Sequence, residues 1–123
     1  MHSQQKHILV VDDEPLVCRS VQLLLEAEGY IVEQAQNGAE ALAMFEPNKF
    51  DMVFTDYLMP KMKGDKLAAA IKRISPEQPI VMITAFPEKL QSSDCPLGGV
   101  DSFICKPFDL ANLQTAIARY AHC

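Results

Sequence analysis

The chain has 123 residues, 49% apolar and 22% charged, with a formal net charge of −5. That length suits one domain able to bury a core of its own, expected to span residues 1–123 with its core at about 6–121. The composition is that of an ordinary soluble globular protein, and the acidic balance argues against a nucleic-acid-binding chain, which would show a basic face. No apolar run approaches the roughly 20 residues of a membrane span. The opening "MHSQQKHILVV" lacks the long apolar core and cleavage site of a secretory signal. The four cysteines, Cys18, Cys95, Cys105 and Cys123, show no CxxC spacing, which disfavours zinc. They read as reduced thiols of a cytoplasmic protein, with Cys18 and Cys105 as small core residues.

Short apolar runs alternate with helical patterns. The first run, "ILVV" (8–11), is followed by a helix from about Glu14 to Glu28, with Pro15 in its first turn and Gly29 as a C-terminal cap. Val17, Val21, Leu24 and Leu25 form its expected inward stripe. The second run, "YIVEQA" (30–35), alternates more and suits an edge strand. Asn37 then caps a helix with Glu40 three residues on, Leu42 and Phe45 facing inward, and Pro47 as its stop. After "MVFT" (52–55), a third helix is expected from Asp65 to Ile74, with Leu67, Ala70, Ile71 and Ile74 inward. After "IVMIT" (80–84), the segment "PEKLQSSDCPLGG" predicts only a short helix with an irregular exit. The last run, "SFIC" (102–105), precedes a helix capped by Asp109 that buries Leu110, Leu113, Ile117 and Tyr120. Four of the five runs are nearly continuous, as in strands covered on both faces. Five βα repeats of this kind predict an α/β fold with a parallel sheet between two helical layers.

In such sheets sites form beyond the carboxyl ends of the strands. The residues there are Asp12, Asp13 and Glu14 after the first run, Asp56 after the third, Thr84 after the fourth, and Lys106–Pro107 after the fifth. Individually they are ordinary: Asp13 suits a helix cap, Asp56 a turn, Thr84 a strand and Lys106 an exposed loop. Together they place three aspartates, a hydroxyl and a lysine on one rim. Two like charges about 4 Å apart repel by roughly 4 kcal/mol at an effective dielectric near 20, so the cluster either raises a pKa or binds a cation. The all-oxygen donor set favours Mg²⁺. Lysine and hydroxyl suit phosphoryl oxygens, and a carboxylate can serve as a covalent nucleophile.

The motifs "VVDDEP" (10–15), "TDYLMPKMKG" (55–64), "MITA" (82–85) and "FICKPF" (103–108) resemble, in order and spacing, the receiver domain of two-component response regulators. The resemblance implies a flavodoxin-like doubly wound (βα)5 sandwich with a five-stranded parallel sheet in the order 2-1-3-4-5. It implies Asp56 as phosphoacceptor, taking its phosphoryl group from a sensor histidine kinase or phosphotransfer protein. Asp12, Asp13, Asp56 and the backbone carbonyl of Leu58 would hold Mg²⁺ or Mn²⁺. Thr84 and Lys106 would contact the phosphoryl group, Phe103 would be the switch aromatic coupled to Thr84, and the Lys106–Pro107 bond would be cis. Pro60 and Gly64 would shape the loop after the phosphoacceptor. Such a domain turns over only its own phosphorylation and dephosphorylation. It would signal to a downstream protein or output domain through the face made by the short helix after the fourth strand, the fifth strand and the last helix, as a monomer or a phosphorylation-dependent dimer, with no membrane contact.

Two departures stand out. Leu58 and Phe86 are apolar where many family members carry polar side chains, and are expected to lengthen the phosphoryl lifetime by limiting the approach of water. Residues 91–99 depart from the usual Ala-rich helix, so a mobile loop is expected there. An aspartate-nucleophile phosphatase would want a second acid where Leu58 stands. A flavin carrier would want a Ser/Thr/Gly-rich loop in place of "DDEP". A receiver-like scaffold that signals without phosphorylation is the remaining alternative, disfavoured by the complete acid set.

Overall fold

The computed structural model describes residues 6–59, 61–84 and 100–120, with only the backbone of Tyr120. The elements run β1 (His7–Val11), α1 (Pro15–Glu26), β2 (Ile31–Ala35), α2 (Gly38–Met44), β3 (Met52–Asp56), α3 (Gly64–Ile74), β4 (Ile80–Thr84), β5 (Ser102–Cys105) and α4 (Leu110–Tyr120). The five strands form one sheet in the order β2-β1-β3-β4-β5, every pair parallel. The order reverses at β1, whose neighbours are β2 on one side and β3 on the other, so the ends of β1 and β3 flank the switch point where such sheets build their sites.

Strand side chains alternate between faces. Ile8 and Val10 join a core under α1 and α4, built with Val21, Leu25, Leu113 and Ile117. Leu9 and Val11 join the opposite core under α2 and α3, with Ala41, Phe45, Leu67 and Ile71. β3 and β4 are buried at every position, as their continuous apolar runs require. β2 lies at one edge, in keeping with its alternation. β5 lies at the other edge and is only half-buried, although its run is as continuous as the others.

Local signals place the helix ends. Gly29 has φ +94°, and the turn closes α1 through bonds from Gly29 N–H to Glu26 O (3.0 Å) and from Tyr30 N–H to Leu25 O (3.2 Å). Asn37 Oδ1 accepts from Glu40 N–H at 2.8 Å, but the Glu40 carboxylate returns to Gln36 N–H (2.7 Å) rather than to the cap residue's own amide. Asp109 Oδ1 accepts from Asn112 N–H at 3.0 Å and starts α4.

The structure corrects several expectations of burial. Leu24 and Ile74 are exposed and Ala70 is only half-buried; Ala68 takes an inward place on α3, and Cys18 is buried as expected. Both helices are rolled slightly on the sheet relative to the apolar stripe read from the sequence. Cys105 is exposed rather than a core residue, because it ends an edge strand. α1 starts at Pro15 and stops at Glu26, and α3 starts at Gly64. The short helix after β4 and the loop at 91–99, with Cys95, Cys123, Pro60 and Phe86, lie outside the described residues.

Candidate functional site

The rim at the carboxyl end of the sheet begins with Asp56, the last residue of β3. It is 7% exposed, and the chain around it is held on three sides. Tyr57 N–H donates to Asp56 Oδ1 (3.0 Å) and also lies 3.2 Å from Ile83 O on β4. Thr55 Oγ1 donates to the Asp56 carbonyl at 3.0 Å. Gly64 N–H donates to Tyr57 O at 2.8 Å, which folds the β3–α3 loop back over the strand end. That return needs glycine: a Cβ at position 64 would drive into the Asp56 carbonyl oxygen and crowd the Tyr57 Cα.

Asp12 follows β1 and is 2% exposed. Its N–H donates to Ala35 O on β2 (3.1 Å), and its Oδ1 accepts from Glu14 N–H (2.9 Å). The carboxylates of Asp12, Asp13 and Asp56 each bring an oxygen within 4.8 Å of the others. Asp13 is the more open of the three, so the pocket has a solvent side. Lys106, just past β5, reaches in with Nζ 3.3 Å from Asp56 Oδ1, 3.5 Å from Asp12 Oδ2 and 4.0 Å from Glu14 Oε1. The Lys106–Pro107 peptide is cis, and Lys106 N–H donates to Thr84 O at 2.8 Å. Thr84 ends β4, one position beyond Ile83, the partner of Asp56 in the β3–β4 register, and is buried.

Among the described residues Lys106 faces these acids and does not balance them. Burial, then the nearby Asp12 charge, pushes the Asp56 carboxyl up to about 6, against the pull of Lys106. Burial also raises Asp12, more than the Glu14 N–H and Lys106 lower it. For Lys106 burial acts downward but is outweighed by Asp56 and Asp12, so its ammonium is held more firmly. An all-oxygen trio, with Asp12 and Asp56 buried and Asp13 on the solvent side, fits a hard divalent cation that keeps part of its water.

The structure thus gathers the Asp12, Asp13 and Asp56 carboxylates within 4.8 Å of one another, pairs Lys106 with Asp12 and Asp56, and sets Thr84 on the same rim. Phe103 is half-buried on β5, facing a cleft of about 440 Å³ lined also by Pro107, Asn112 and Arg119. Leu58 is 42% exposed, two residues past Asp56. Two contacts lay beyond the sequence reading. Glu14 is drawn to Lys106, although its place in the acid run was visible. The Cys18 thiol donates to the Asp12 carbonyl, and only the helical setback of residue 18 toward the loop before α1 hinted at that.

A doubly wound parallel sheet of this order, with this pocket at its switch point, fits a phosphoacceptor aspartate beside a Mg²⁺ site. Residues 8–118 match the family model described as "Response regulator receiver domain". The chain is 36% identical over 117 residues to the transcriptional regulatory protein GlrR of Escherichia coli K12, covering 95% of this chain and 26% of that protein. It is 34% identical over 116 residues to the probable transcriptional regulator ycf27 of Cyanidium caldarium, covering 94% and 46%. Its fold superimposes with TM-score 0.85 on the response regulator TrrA of Thermotoga maritima, solved in complex with Mg²⁺-BeF, at 30% identity over 94% of this chain and 99% of that one. It also superimposes with TM-score 0.85 on the chemotaxis protein CheY4 of Vibrio cholerae, at 32% identity over 95% and 99%.

The chain belongs to the receiver domain family of two-component response regulators. Members of that family are signalling domains. It spans about a quarter to a half of the length of these two curated relatives. No helix among the described residues is long and apolar enough to cross a membrane.

Proposed function

We propose that Asp56 accepts a phosphoryl group from a phosphohistidine on a sensor histidine kinase or phosphotransfer protein. A carboxylate oxygen of Asp56 attacks phosphorus, the new P–O bond forms as the P–N bond breaks, and the imidazole leaves with the electron pair. The observation that carries this reading is the buried Asp56 carboxyl, raised to about 6 yet 3.3 Å from Lys106 and grouped with Asp12 and Asp13. At neutral pH it is mostly ionised and nucleophilic.

Asp12, Asp13 and Asp56, with the Leu58 carbonyl, would hold Mg²⁺ or Mn²⁺, which supplies charge neutralisation at the phosphoryl oxygens when bound. Lys106 pairs with a phosphoryl oxygen and Thr84 donates to another. Leu58 and Phe86 shield the acyl phosphate from water. The added charge draws Thr84 and Lys106 inward, and Phe103 turns with them, shifting a two-state equilibrium. The readout is a protein surface formed by β5, α4 and the chain between β4 and β5, offered to an output domain or separate partner. The domain acts in the cytoplasm, as a monomer or a phosphorylation-dependent dimer, and catalyses only its own phosphorylation and dephosphorylation.

Incubation with Mg²⁺ and a small acyl phosphate tests this. One base-labile phosphoryl group on Asp56, absent from Asp56→Asn and from EDTA-treated protein, is expected. A folded, Mg²⁺-loaded protein that takes up no phosphoryl group would favour the scaffold alternative.

A further inference from the structure

Cys18 sits in the first turn of α1, wholly buried, among core residues that explain its small size but not its polarity. Side chains on a helix lean toward its N-terminus, so the thiol points back at the loop joining β1 to α1. There its Sγ lies 3.4 Å from the Asp12 carbonyl oxygen and 3.7 Å from the Ala35 carbonyl oxygen. These two carbonyls belong to the open end of the β1–β2 ladder, where the last bond runs from Asp12 N–H to Ala35 O. Asp12 is buried and the Cys18 contact to its carbonyl lies in the interior, where a carbonyl calls for a donor.

Asp12 is consequently fixed through three groups. Ala35 takes its N–H, Cys18 supplies a donor to its C=O, and Glu14 N–H holds its Oδ1. With those set, Oδ2 is the oxygen left toward Lys106. Without a donor on the carbonyl, the peptide plane between Asp12 and Asp13 would lose its reference to α1, and both carboxylates hang from that plane.

We propose that Cys18 is a positioning residue for the acidic pocket, its thiol proton tying the Asp12 carbonyl to α1 and thereby setting the aim of the Asp12 and Asp13 carboxylates at the bound divalent cation. This rests on the metal-binding reading above. Cys18 touches neither the metal nor the phosphoryl group and acts only through Asp12. A hydroxyl at this position replaces the donor, whereas a methyl or isopropyl group does not. Valine keeps the space filled, so it separates loss of the donor from loss of volume.

The test compares wild type, Cys18→Ser, Cys18→Ala and Cys18→Val under reducing conditions, each shown to be folded by its urea unfolding curve. Mg²⁺ affinity is read by calorimetry, and amide exchange at Asp12 and Glu14 by NMR in EDTA. Alanine and valine are expected to weaken Mg²⁺ binding by about tenfold, the low end for partners that orient a metal ligand, and to speed exchange at both amides. Serine is expected to stay close to wild type in both, even where its urea midpoint falls below that of valine. Folded alanine and valine variants with wild-type affinity and exchange overturn the proposal, as does a serine variant as weak as alanine. Those outcomes leave the site reading intact, whereas a wild-type protein that binds no Mg²⁺ overturns the site reading and this proposal with it.

Discussion

Replacing Asp56 by asparagine should make the metal-free protein more stable, and only above a definable pH. Burial raises the Asp56 carboxyl from its ordinary 3.8 to about 6. In the unfolded chain the group titrates normally, so between pH 3.8 and about 6 the folded protein keeps a proton that the unfolded chain has released. Stability therefore falls as pH rises through that window. The full cost applies above about pH 6 and is absent below 3.8. The difference corresponds to about 3 kcal/mol. Asparagine removes the charge but also takes a partner from Lys106, which keeps Asp12 at 3.5 Å, so the net gain should be about 1–3 kcal/mol, or roughly 3–10 °C in Tm.

The assay is urea unfolding in EDTA, followed by far-UV circular dichroism at pH 8 and at pH 4. Asp56→Asn should exceed wild type at pH 8 and match it at pH 4, and excess Mg²⁺ should narrow the gap at pH 8 by stabilising only wild type. An equal gain at both pH values, or none at pH 8, would refute the account of Asp56 as an under-compensated buried charge.

Gly64→Ala should cost about 2–3 kcal/mol in urea unfolding, because a Cβ there collides with the Asp56 backbone; it should also weaken Mg²⁺ binding measured by calorimetry. Asn37→Ala removes the cap on Glu40 N–H and should lower stability by about 1 kcal/mol while leaving phosphorylation by a small acyl phosphate unchanged. Leu58→Asn should shorten the lifetime of the phosphorylated domain several-fold, followed by loss of the phosphorylated species on a Phos-tag gel. An unchanged lifetime removes the idea that Leu58 shields the phosphoryl group.

The sheet and the acid rim were legible because a parallel strand buried on both faces must be a short continuous apolar run, and its carboxyl end must lie with the others. Asp12, Asp13 and Asp56 thus belong on one rim by their places after the strands, and the structure brings their carboxylate oxygens within 4.8 Å of one another. It could not set the roll of each helix. Leu24 and Ile74 fit an apolar period as well as their neighbours do, and only the docked angle of α1 and α3 leaves them exposed. The run "SFIC" looks like a central strand, yet at the sheet edge it keeps one flank open and leaves Cys105 in solvent. The Cys18 contact escaped for another reason. A cysteine in an apolar stripe carries no sign of whether its proton is used, and that depends on a carbonyl six residues earlier facing inward.

The pocket draws its negative charges from the first half of the chain and its lysine from near the end, since Asp12 and Asp56 meet across β1 and β3 while Lys106 waits beyond β5. On a ribosome the acids would emerge well before the ammonium that steadies them, at the usual pace of several residues per second. The acids of the rim therefore meet this ammonium only after β5 has been made.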